Sequence, residues 1–311
     1  MIQERRPLSV GEILDCAITL VVRNFAVLAC VLGAVVMPLV LIQILGSLAL
    51  GPALQAGLDA LSRAKHPEDF QRAIGLLAAM WTQPGATSLA ALGVVAALFA
   101  FPLAQLAAVS AIDAAYGGRS LGVRASYERA LRRFWRYLLG MLTWIVIGVV
   151  ALFTAEMLVV LAIIGAALLF AGLHGAGLIV GIPLVLAVVS AVVGALAWLF
   201  AAWMLSFVAI AVEDGEVWGT IFSGLRRAFS RRQRLRAIII SGAVVAVTVA
   251  ASLVNGSLTV AMFALTHSLV WGALFRLVAT IVSALAFCGV ATVFYYDVRV
   301  RLEIPPAAPT A

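Results

Sequence analysis

The chain has 311 residues, of which 64% are hydrophobic and only 11% charged, and its mean hydropathy is +1.14. Soluble domains run at roughly 45–50% apolar and roughly 25% charged, so a water-soluble globule is excluded. A disordered chain, which needs low hydrophobicity and dense charge, is excluded as well. Basic residues outnumber acidic ones by 21 to 14, and all of them except Lys65 are arginine. The fold class predicted is all-α: a single polytopic membrane domain over 1–303, with 304–311 as a disordered tail.

The first element predicted is amphipathic. Ser9-Val10-Gly11-Glu12 has the S-x-x-E form of a capping box. Ile13, Leu14, Ala17, Ile18 and Val21 then share one face and Glu12, Asp15, Thr19 and Arg23 another, as in a helix lying among lipid headgroups. The apolar run that follows, 25–49, far exceeds the roughly 7–15 residues of a signal-peptide core. It reads as an uncleaved anchor.

About 20 apolar residues carry a helix across the ~30 Å hydrocarbon core, where lipid offers the backbone no partners. Six runs qualify: 25–49, 88–112, 138–171, 178–212, 237–262 and 275–296. The third and fourth would be about 51–53 Å long as straight helices, so tilting, or a break near Gly165 or Pro183, is expected. Pro38 and Pro102 are expected to kink the first two. Between the first two runs, Pro67-Glu68-Asp69-Phe70 opens a helix whose apolar face is Phe70, Ile74, Leu77 and Trp81, a lid on the membrane or a partner-docking surface.

Arginine placement sets the orientation. Seventeen of the basic residues fall on one alternating set of segments, namely 1–24, 113–137, 213–236 and the stretch after Asp297. Only Arg63, Lys65, Arg72 and Arg276 fall on the other. By the positive-inside rule both termini are cytoplasmic.

Amphipathic stretches recur before the third and fifth runs. Tyr127, Leu131, Phe134 and Leu138 form the stripe of one, with Glu128 placed to pair with Arg132. Val217, Ile221, Leu225 and Phe229 form the other. Ala130-Leu131-Arg132-Arg133-Phe134 and Gly224-Leu225-Arg226-Arg227-Ala228 look alike, and each follows an apolar helix ending in an acid, Asp113 or Glu213-Asp214. A threefold repeat, each unit a surface helix plus two crossings, accounts for this pattern; chance similarity among arginine-rich linkers is its rival.

Two short motifs carry a resemblance. Arg6-Pro7-Leu8-Ser9-Val10-Gly11-Glu12-Ile13-Leu14-Asp15, continuing to Arg23-Asn24-Phe25, and Phe294-Tyr295-Tyr296-Asp297-Val298-Arg299-Val300-Arg301-Leu302-Glu303 resemble the start and end of the membrane domain of glycerophosphoryl diester phosphodiesterases. The same domain forms a group of stand-alone bacterial proteins. The resemblance implies a six-helix protein of the bacterial inner membrane. The catalytic half of those enzymes has no counterpart here, so no catalytic residue is carried over.

Glu156 and Arg276 are the charges inside the spans, and such groups are functional candidates. They lie about 30 Å and 31 Å along their helices from Arg136 and Asp297, so they are expected to pair near the outer boundary. That pair is either a gate or ligand site or a structural ion pair; the remaining alternative is two separate groups, each reaching for interfacial water. Arg129, Arg132, Arg133, Arg136, Arg226, Arg227, Arg231 and Arg232 are candidates for anionic lipid headgroups; fixing topology is their plainer use. Nucleic acid is not an expected partner, because the charge is spread over membrane-proximal linkers; the bilayer and a membrane-protein partner are.

Cys16, Cys30 and Cys288 read as small apolar fillers, and His66, His174 and His267 lack companion ligands at metal spacing. No cofactor, nucleophile-elbow or metalloprotease motif occurs, and Gly177-x-x-x-Gly181 marks close helix packing. A non-enzymatic scaffold or accessory factor in envelope or membrane-lipid homeostasis is expected. The alternative is a transporter or channel near Glu156 and Arg276. A closed bundle of Ala, Val and Leu favours the first, a polar-lined cavity the second.

Overall fold

The computed structural model describes residues 7–64, 66–80, 84–173, 176–230, 233–266 and 270–303. Among the described residues the chain forms nine helices and no strand: α1 (Val10–Arg23), α2 (Phe25–Arg63), α3 (Pro67–Met80), α4 (Pro84–Tyr116), α5 (Val123–Leu173), α6 (Ala176–Val212), α7 (Val217–Phe229), α8 (Arg234–Thr266) and α9 (Val270–Glu303). Six of them, α2, α4, α5, α6, α8 and α9, are long and apolar enough to cross a membrane. This is an all-α, multi-pass membrane protein.

The helices overrun the apolar runs at their ends. No Gly or Pro interrupts 123–139, so the second amphipathic stretch continues directly into its crossing. α5 therefore has 51 residues and is about 77 Å long. It passes through Gly165, and α6 continues past Pro183, so the excess length is taken up by extension and not by a break. The other two amphipathic stretches are separate helices. The capping box forms as expected, with the Ser9 hydroxyl accepting from the Glu12 N–H and the Glu12 carboxylate accepting from the Ser9 N–H. α1 ends at Asn24, whose side-chain amide donates to the Leu20 carbonyl at 2.8 Å.

At the other end of the bundle, α2 reaches Arg63 and α3 folds back against it. Among the described side chains of α3, Ala73 is fully buried, while Phe70 and Ile74 are exposed. Phe70 and Ile74 of the expected apolar stripe thus face away from the protein; the Leu77 side chain and Trp81 lie outside what is described.

The crossings form two rings. α4, α6 and α9 contact one another in the centre, and α2, α5 and α8 pack outside, each between two inner helices. The expected units follow this plan, since each places its first crossing outside and its second inside. Each amphipathic segment then folds back on an inner helix: α1 on α9, the start of α5 on α4, and α7 on α6. The third unit closes on the first, which makes the arrangement cyclic.

Close approach demands small residues. A Cβ on Gly224 of α7 would lie 3.0 Å from the Ser206 Cα of α6, and one on Gly181 would lie 3.1 Å from the Ala166 Cβ of α5. Gly118, in the turn after α4, has φ +73, a left-handed conformation that glycine adopts without a Cβ penalty. Burial concentrates at the arginine-rich end, where Ala104–Ala114, Ala201–Ala211 and Ala284–Val298 supply most of the core.

Candidate functional site

The arginine-rich end is closed by carboxylates of the three inner helices. Asp113, near the end of α4, pairs with Arg129 at 3.0 Å. Glu213, just beyond α6, pairs with Arg227 at 3.0 Å. Asp297 of α9 is fully buried and faces Arg236 at 3.3 Å and Arg301 at 3.0 Å. The Leu8 N–H donates to it at 2.7 Å, which anchors the approach to α1. Arg236 and Arg301 both donate to the Leu8 carbonyl.

One turn of α9 binds these three sites together. The Tyr295 hydroxyl donates to Glu213, the Tyr296 hydroxyl donates to Asp113, and Asp297 takes the α1 and α8 contacts. Successive helical side chains are rotated by about 100°, so three neighbours reach three directions from a central helix. Arg227 also lies over the Tyr295 ring, 5.5 Å from its centroid, and Tyr116 stacks on Tyr296 at 4.6 Å. Below this clamp Tyr137, Phe200, Trp203, Phe207 and Phe287 form a continuous aromatic cluster with ring centroids 4.9–6.2 Å apart.

The headgroup candidates divide. Arg129 and Arg227 are held by the carboxylates just described. Arg133 pairs with Asp214 at 2.6 Å and donates to the Ala211 carbonyl, and Arg136 donates to the Glu213 and Gly215 carbonyls. These four brace the turn between α6 and α7 or the helix ends. Arg132 and Arg226 are exposed and have no partner among the described residues. Arg231 and Arg232 lie outside the described residues. Glu128 pairs not with Arg132 but with Arg124, at 2.9 Å, which leaves Arg132 free on the rim of a basic hollow with Arg129, Arg133 and Arg136. Trp135, Trp218 and Phe222 are exposed at the same end.

Glu156 and Arg276 do not meet. Both are exposed, and among the described residues neither has a hydrogen bond or an ion pair. α5 packs between α4 and α6, whereas the helices against α9 are α1, α2, α4, α6 and α8, so equal depth does not bring these two helices together. Glu156 stays on the outer surface of α5.

Arg276 instead borders a cavity of ≈ 450 Å³ between α4, α6, α8 and α9, where the inner helices part above the aromatic cluster. α9 presents Arg276, Thr280, Ser283 and Phe287 to it, residues spaced to share one helical face. α8 adds Thr248, Ser252 and Asn255, and α4 adds Gln105. The Thr248 and Ser252 hydroxyls donate to their own helix, to Val244 and Thr248. Those of Thr280 and Ser283 make no hydrogen bond among the described residues. The Asn255 Oδ1 is buried without a partner.

A second cavity of ≈ 440 Å³, between α4, α5 and α6, is apolar and shares Phe101, Gln105, Phe200 and Trp203 with the first. The buried Trp144 in its wall has an unpartnered indole N–H. No family model, curated protein or solved structure matches the chain.

Sequence reasoning located Arg276 but not its surroundings. The i, i+4, i+7 hydroxyl pattern Arg276–Thr280–Ser283 was the available signal. The tyrosine clamp had its signal too, in the Tyr295-Tyr296-Asp297 run, but without a known arrangement of helices that run names no partners.

Proposed function

We propose that the chain is a non-enzymatic protein of the bacterial inner membrane, with both termini in the cytoplasm, that serves membrane-lipid or envelope homeostasis as a scaffold or accessory factor. The observation that carries this reading is the sealed arginine-rich half: tightly packed Ala, Val and Leu, an aromatic cluster, and carboxylates clamped by arginine across all three units. A conducting pore needs a continuous polar path, and this half offers none among its described residues. The free Arg132 and Arg226, flanked by exposed Trp135, Trp218 and Phe222, suit a surface that meets anionic headgroups. The resemblance to the membrane domain of glycerophosphoryl diester phosphodiesterases supports the placement in the bacterial inner membrane.

Reconstitution tests this reading. Liposomes containing the protein are expected to show no ion or solute flux above protein-free controls, while the R132Q/R226Q variant is expected to lose several-fold in association with anionic over neutral lipid. Reporter fusions within 119–136 and 226–236 are expected to fall together on the cytoplasmic side; opposite sides would refute the topology.

A transporter is the second reading, supported by the polar-lined cavity at Arg276. It requires the aromatic cluster and the tyrosine clamp to open, and crosslinks that pin them closed would then abolish flux.

A further inference from the structure

We propose that the two cavities together hold one anionic amphiphile. Its phosphate or carboxylate lies against Arg276, Thr280 and Ser283, and its acyl chain runs past Phe200 and Trp203 into the apolar space beside Trp144. This assignment rests on the lipid-handling role proposed above and names the site that carries it.

Three donors of the head site have no acceptor among the described residues, and the buried unpaired acceptor in the same cavity is the Asn255 Oδ1 of α8. Arg276 carries a permanent charge with no carboxylate opposite it among the described residues. Ionisable groups within a span are costly, and Arg276 differs from the equally unpaired Glu156 in bordering a polar-lined cavity. One and two turns further along the same face stand the hydroxyls of Thr280 and Ser283, also without acceptors. A guanidinium with two hydroxyls in line recognises an anionic oxygen, and it does so strongly where water is scarce.

The chain site follows from continuity. Phe101, Gln105, Phe200 and Trp203 wall both cavities, and beyond them the lining is almost entirely apolar. Both volumes lie within the roughly 300–1,000 Å³ of small-ligand sites. A water-soluble anion would gain nothing from the second cavity, and a neutral lipid nothing from the first. The tight packing towards the clamp closes the other direction, so the ligand enters from the far end or from the bilayer.

The test uses the purified full chain in detergent, with binding read by native mass spectrometry. Phosphatidylglycerol and palmitate are expected to occupy one saturable site, with phosphatidylcholine and glycerol phosphate markedly weaker. R276Q, at an exposed position, is expected to lower the affinity of both acylated anions by about tenfold, the scale of one lost charge-assisted contact. A Cβ on Gly148 meets open space, so G148W is expected to fill the apolar cavity and displace both chains; L152W is a second filling variant if G148W does not fold.

Preferential binding of only one acylated anion fixes whether the head is phosphate or carboxylate. Unchanged affinity in R276Q, or glycerol phosphate binding as well as the acylated anions, overturns the proposal. If R132Q/R226Q removes the anionic preference and R276Q does not, the cavity assignment fails and the proposed function stands. If anionic lipids bind no better than phosphatidylcholine to the wild-type chain, both fail.

Discussion

The carboxylates at the arginine-rich end and the donors of α9 at the cavity are treated in opposite ways. At the arginine-rich end, Asp113, Glu213 and Asp297 each have an arginine and a further donor. At the cavity, Arg276, Thr280 and Ser283 have no partner among the described residues. A matched charge in a low-dielectric setting holds structure together, and an unmatched one is stabilised only by something that arrives. The contrast separates residues that keep the helices in place from residues that could bind.

Substitutions can break this contrast, and the largest effect is expected at its matched extreme. Asp297→Ala leaves Arg236 and Arg301 facing each other without their carboxylate and removes the acceptor for the Leu8 N–H. A loss of about 3–5 kcal/mol is expected, measured by denaturant or SDS unfolding in micelles. Gly224→Ala comes next, because the new methyl would press on the Ser206 backbone; overpacking of this kind costs about 1–3 kcal/mol, visible as a lower Tm.

Tyr296→Phe keeps the ring stacked on Tyr116 and removes the hydroxyl that serves Asp113. A loss of about 1–2 kcal/mol is expected, towards the low end for a hydrogen bond to a charged group, because Asp113 keeps Arg129. The smallest effect sharpens the contrast from the other side. Glu156→Gln, Arg276→Gln and their combination are expected to unfold within about 0.5 kcal/mol of the parent, with a coupling energy near zero. A coupling above that in a double-mutant cycle would mean that the two charges interact after all.

The membrane character of the fold was legible because it depends on local composition: a helix in lipid needs a long apolar run wherever it sits. The capping box at Ser9 and Glu12 and the helix start at Pro67 were legible for the same reason, since both are written within a few residues. Partner identity was not. Arg129, Arg133, Arg136 and Arg227 look like lipid-facing arginines on a helical wheel, yet each turns inward to a group that the fold brings from 14 to 81 residues away.

Glu156 and Arg276 illustrate the same limit. Depth can be counted along a helix, but the order of helices around the bundle cannot, and it is that order which keeps α5 away from α9. Glu128 failed locally instead: arginines stood at both i−4 and i+4, and spacing alone does not choose between them.

The tyrosine clamp also bears on biogenesis. Tyr295, Tyr296 and Asp297 are translated after α2, α4, α5, α6 and α8, so α4 and α6 reach the bilayer with Asp113 and Glu213 lacking their tyrosine partners. Insertion can proceed helix by helix, but locking must wait for α9. Chains arrested before residue 295 would lack every contact of the clamp and are expected to be cut faster by added protease than the full chain.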